Sequence, residues 1–285
     1  MLSVLKQAKS AFSLLSADEI RKQAELPLHI GLVADSSSAY AEMEDFLVPS
    51  ALPRQEWRRR LTQVHRANDV EVPAHVDIVL YEPGLACPEG AYTFHRGDPQ
   101  ATCAEILKDK GELDLALGRQ FLPFRRPVVE RIIQMVSREN ALFAIASALP
   151  NVVPSMIEIP WVFGEFASDT AFLTVNQVRM AFQIAAACGK EVGLGKQKAA
   201  MLTIGGGAFG WRALARELVG HIPLGGGLIP KGAIAYAGTY LVGKGLEYLH
   251  VHDGAPGSAL RGELYKEGLE QGRSFAKTVH LPSRA

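Results

Sequence analysis

Two glycine triplets, Gly205–Gly207 and Gly225–Gly227, lie inside a strongly apolar stretch running from Ser168 to Tyr248, and they constrain the fold of this chain more than any other feature. Apolar residues recur there at helical spacing, through SDTAFLTVNQVRMAFQIAAACGKEVG, IGGGAFGWRALARELVGHIPLGGGLIPK and GAIAYAGTYLVGKGLEYL. A glycine in a helix interior costs about 1 kcal/mol relative to alanine. Three in succession persist only where another helix, a ligand or lipid comes close to the backbone. The stretch therefore predicts helices packed backbone against backbone.

Ser168 or Asp169 suits the N-cap of a helix reaching Cys188, with Gly189 just past its end. Phe172, Val175, Met180 and Ile184 make its apolar face. Asn176, Gln177 and Arg179 sit in that apolar setting, where polar groups must find hydrogen bonds. They belong either to a network with other helices or to a ligand site. A following helix, Ala199 to Val219, carries Arg212 and Arg216 four residues apart, an anion fork or a salt-bridge network with Glu217 or Glu165. Small residues crowd the last helix, Gly232 to Leu249, but Lys231 and Lys244 bracket only about a dozen apolar residues, against the ~20 a membrane span needs. The hairpin is either soluble or dips into one leaflet. His250, His252 and Asp253 close it as a metal-binding pattern, or as histidines favoured by a helix C-terminus.

The first half reads as small and α/β. Val4, Ala8, Ala11, Phe12 and Leu15 share a helical face, and Ser16 with Glu19 makes a capping box for a turn reaching Ala24. Leu28 to Ala34 is a buried-strand pattern, followed by Asp35, Ser36, Ser37 and Ser38. A phosphate-cradling loop after such a strand needs G-x-x-x-x-G-K-[ST], whose glycines open the backbone and whose lysine supplies charge. Here the lysine and second glycine are missing and an acid stands at the approach. The serines therefore read first as a helix cap, with phosphate binding as the sharper alternative. A helix is expected from Pro53 to Ala67, with Trp57, Leu61 and Val64 buried. Arg54, Arg58, Arg59, Arg60 and Arg66 crowd the rest of it, a solvated face or a contact for an acidic partner or phosphate. Val76 to Tyr81 is a second strand and Ala91 to Phe94 a short third, followed by helices over Pro99–Lys108, Glu112–Phe121 and Pro127–Leu149.

Hydrophobic residues make up 48% of the 285, enough for a proper core. Lys+Arg and Asp+Glu each number 30, so no overall field draws the chain to nucleic acid. Three scattered cysteines fit a reducing cytoplasm, and the charged N-terminus lacks the apolar run of a signal peptide.

The segments ENALFAIASALPNVVPS, NQVRMAFQIAAACGKEVG and GGAFGWRALARELVGHIPLGGGLIPKGAIAYAGTYLVGKGLEYL together resemble the helical domain of unknown function found C-terminal to Era-like GTPases and in YcjF-like inner-membrane proteins. The likeness covers about the second half. It implies a membrane-associated or regulatory role, with the first half a degenerate GTPase relic that lacks the P-loop, D-x-x-G and N-K-x-D motifs.

The expected architecture is α+β and mainly α: a small α/β domain over 1–126 with few parallel strands, a Gly-rich helical bundle over 127–252 and a peripheral tail over 253–285. The leading functional expectation is a non-catalytic regulatory or scaffolding protein whose Gly-rich hairpin meets a membrane surface or a protein partner. It would be cytoplasmic, peripheral to the inner membrane, free of cofactor and nucleic acid, and compatible with homo-oligomers. One alternative is a non-hydrolysing nucleotide or anion binder using Ser36–Ser38, Arg212 and Arg216. Another is an enzyme with a site around Asp169, Asn176, Arg179, Arg212 and Glu217.

Overall fold

The computed structural model describes residues 17–69, 73, 75–147, 169–193, 195–197, 200, 228–252 and 254–279. The expected N-terminal helix, the connector 151–164, the helix carrying Arg212, Arg216 and Glu217, both glycine triplets and Asp253 lie outside these. The chain divides into two compact units. One comprises Asp18–Glu130 with Ala186–Lys190, and the other Arg131–Ala185 with Glu191–Ala285.

In the first unit the elements run α1 (Ala17–Ala24), β1 (Ile30–Val33), α2 (Ser37–Leu47), α3 (Arg54–Leu61), β2 (Val64–Arg66), β3 (Ile78–Tyr81), β4 (Tyr92–Thr93), α4 (Pro99–Asp109) and α5 (Asp114–Gln120). The four strands form one parallel sheet in the order β2-β1-β3-β4. Alternation along β1 and β3 buries Ile30, Leu32, Ile78 and Leu80, and helices supply Met43, Leu47, Ile106 and Leu107 to the same core. The backbone of His29 closes the sheet's entry edge, donating to Asp77 Oδ2 at 2.8 Å and accepting from the Asp77 amide at 2.9 Å.

One expectation fails here. The helix predicted to reach Ala67 stops at Leu61, and Val64–Arg66 pairs with β1 as an edge strand. Three residues with a single buried position, Val64, are too short and too polar to show a strand's period. Ser36 caps α2 in extended geometry (φ −125, ψ 147), its Oγ accepting from the Ala39 amide at 3.1 Å.

Helix α6 (Leu122–Ala146) begins ahead of the expected Pro127, which lies inside it, and its second half settles 141–146 as helix rather than strand. The helical unit holds the remainder of α6 with α7 (Asp169–Ala187), α8 (Leu228–His252) and α9 (Ser258–Thr278). Gly189, at φ +73, ends α7 as the sequence predicts, its amide donating to Ala186 O at 3.0 Å.

Within the helical unit Phe143 stacks on Phe172 with centroids 3.9 Å apart. The small residues of α8 serve helix packing: a Cβ on Gly243 would lie 2.8 Å from Ile133 Cγ1. Beyond Gly254, where a peripheral tail is expected, α9 lies tightly along α8. A Cβ on Gly272 would meet Ala233 O at 2.9 Å, and Tyr240 Oη donates to Glu267 Oε1 at 2.8 Å. No described helix is long and apolar enough to cross a membrane.

Candidate functional site

The sequence directs attention first to the carboxyl ends of β1 and β3. Strand order reverses there, and open α/β sheets bind ligands at such a point. The groups present are mutually paired. Ser36 Oγ caps α2 and lies 3.1 Å from Ser38 Oγ, and the Asp35 amide donates to Glu82 Oε2 at 3.0 Å. Arg66 grips Glu44 through Nε and Nη2 at 2.6 and 2.8 Å, and Arg96 Nε holds Glu42 at 2.7 Å. Acids answer every arginine named at this edge, so it offers no surplus positive charge for a phosphate.

Asn176 and Arg179 lie in the helical unit. Asn176 Nδ2 donates to Asn140 Oδ1 at 2.9 Å, Asn140 Nδ2 to Thr239 Oγ1 at 2.8 Å, and Thr239 Oγ1 to Ala235 O at 2.9 Å, which ties α6, α7 and α8 together. Arg179 pairs with Glu139, whose carboxyl is raised above its ordinary pKa by burial, with Arg179 opposing. The backbone of Asp169 starts α7, while its side chain, with Arg212, Arg216 and Glu217, falls outside the described residues. Of the sequence-predicted site residues that are described, Ser36–Ser38 lie in the sheet unit and Asn176 and Arg179 in the helical unit. His250 and His252 occupy the last turn of α8, and no group of three metal-ligating side chains occurs among the described residues.

A different place in the sheet unit concentrates unpaired charge. A cavity of about 700 Å³ is lined by Arg59 and Arg60 from the end of α3, Arg119 and Gln120 from α5, and Arg125 from the first turn of α6. Glu25, Glu56, Thr62, Gln63, Cys188 and Gly189 complete most of its wall.

Arg60 is 4% exposed. Its Nη2 donates to Glu56 Oε1 at 2.6 Å, but its Nε and Nη1 are buried without any acceptor. Arg125 Nε is likewise buried and unmatched. Burial above all, with the nearby charges of Arg125 and Arg59 adding, pushes the Arg60 pKa below that of an ordinary arginine, and Glu56 pulls the other way. Arg125 also stands in the first turn of α6, where the helix dipole disfavours a cation and no acidic residue offsets it.

The remaining groups hold the wall in place. Arg119 Nη1 donates to the carbonyls of Ala186 and Lys190, both at 3.3 Å, and its Nη2 lies 3.5 Å from Glu25. Gln63 Nε2 donates to Gln120 Oε1, and Gln120 Nε2 to Leu26 O at 2.7 Å. Glu56 thus answers Arg60, Glu25 answers Arg119, and no carboxylate pairs with Arg59 or Arg125 among the described residues.

Four arginines against two glutamates leave the cavity wall with a surplus of positive charge, while the unmet donors of Arg60 and Arg125 are buried behind it. The arginine run at 54–60 signals half of this wall. Arg119 and Arg125 leave only a weak basic cluster around Pro123, about sixty residues away in sequence, and the fold alone joins the two groups. Compared with family models, curated proteins and solved structures, the chain matches none.

Proposed function

We propose that this protein is a non-hydrolysing, regulatory anion binder whose sheet unit holds its ligand in the arginine-lined cavity. One observation carries the reading: four arginines and only two glutamates line a single cavity, and Arg59 and Arg125 have no carboxylate partner among the described residues. Arginine binds carboxylate and phosphate oxygens through its planar fork and stays protonated, so it holds charge rather than moving protons. Amide and guanidinium groups dominate this wall, and its two glutamates are engaged in ion pairs. That chemistry favours binding over turnover. The resemblance of the second half to a domain that accompanies GTPases points the same way, toward regulation without hydrolysis.

Thermal melting of the full chain at constant ionic strength, with phosphate replacing chloride, tests the reading. A bound anion stabilises the folded state by about 2.7 kcal/mol at a hundred times its dissociation constant. We expect Tm to rise with phosphate in the parent protein and much less in Arg125→Gln. Equal responses in the two proteins would reduce the effect to general salting and refute the proposal.

A further inference from the structure

The shape and charge of the cavity narrow the ligand further, on the assumption that the anion-binding reading is right. Two arginines, Arg59 and Arg125, lack a carboxylate partner among the described residues, so the wall carries two uncompensated positive charges. A ligand with two negative charges neutralises it. A phosphate monoester dianion carries both charges on one group, whose oxygens two guanidinium forks can grip together. A dicarboxylate spreads its charges over two ends.

The volume of about 700 Å³ lies in the range of sites for whole small molecules, so the phosphate brings a body with it. Among the described residues lining the cavity none is aromatic, so the wall offers a nucleobase no stacking partner. It offers acceptors instead. Gln63 Oε1 remains after the amide's nitrogen is used, and Thr62 Oγ1 retains its lone pairs after donating to Arg59 O at 2.7 Å. Hydroxyl groups donate to such acceptors. We infer that the cavity takes a phosphate monoester of a small polyol or sugar, with the phosphate at Arg59 and Arg125 and the hydroxyls toward Gln63 and Thr62.

Calorimetric titration of the full chain with ribose 5-phosphate, adenosine monophosphate, glycerol 3-phosphate and succinate, at fixed ionic strength, tests this. The sugar and polyol esters should saturate one site at least about tenfold more tightly than succinate, and Arg125→Gln should lose about tenfold or more of that affinity. Arg59→Gln, on the exposed side of α3, provides a second variant should the first fold poorly. Adenosine monophosphate should bind no more tightly than ribose 5-phosphate, because the base gains no contact. Succinate binding as tightly as the esters would overturn the monoester while leaving anion binding intact. A much tighter adenosine monophosphate would overturn the polyol body. Retention on phosphatidic acid vesicles, without binding of the soluble esters, would assign the monoester to a lipid headgroup and overturn it too. No binding of any anion would refute both this inference and the function it rests on.

Discussion

Arg60 is an expensive residue to bury for stability alone. Two of its N–H groups meet no acceptor among the described residues, and its ion-pair partner, Glu56, is 36% exposed and readily served by water. Methionine, of similar length, removes the unmet donors and keeps the packing. Arg60→Met should therefore raise unfolding stability in phosphate-free buffer by about 1–3 kcal/mol and, by removing one positive charge from the wall, weaken the phosphate-dependent rise in Tm. A destabilised variant would show that Arg60 serves the fold instead. In the helical unit Glu139 allows a test by pH. Its folded-state pKa is raised above 4.5, so it contributes stability below that value and loses the contribution as pH rises through the folded pKa. Glu139→Gln cannot ionise, and its urea midpoint relative to the parent should shift upward as pH climbs from about 4 to 7. A difference that shrinks with pH would contradict the assignment.

At the scale of elements, helix α9 contains its own control. A Cβ on Gly272 meets Ala233 O at 2.9 Å and Ala233 Cα at 3.0 Å, backbone atoms that cannot rotate aside, whereas nothing lies within 4 Å of one on Gly262. Gly272→Ala should cost about 1–3 kcal/mol despite the gain in helix propensity, and Gly262→Ala should add up to about 1 kcal/mol. Chemical denaturation of both variants decides the matter. A neutral Gly272→Ala would mean that α8 and α9 do not press together. The same elements show what a sequence discloses. Long helices such as α6, α7 and α8 repeat their apolar pattern many times and are legible, as are Ser36 and Gly189, whose caps rest on local backbone geometry. Edge strand β2 was not legible, because Val64, His65 and Arg66 owe their strand to β1 rather than to any pattern of their own.

For the whole molecule, the mainly helical α+β class with a small parallel sheet follows from composition and period, since buried strand runs and long amphipathic helices leave few other solutions. The candidate site does not follow in that way. Its two pairs of arginines come from separate parts of the chain, and nothing local at Arg119 or Arg125 marks them as neighbours of Arg60. The expected serine turn, by contrast, satisfies its own hydrogen bonds once folded. The anomalous scattering of tungstate soaked into crystals of the full chain would test the account most directly, because tungstate is a dianion with phosphate's tetrahedral shape. The account predicts one strong peak in the arginine-lined cavity, beside Arg59 and Arg125. A peak at Ser36–Ser38 with none in the cavity would contradict it.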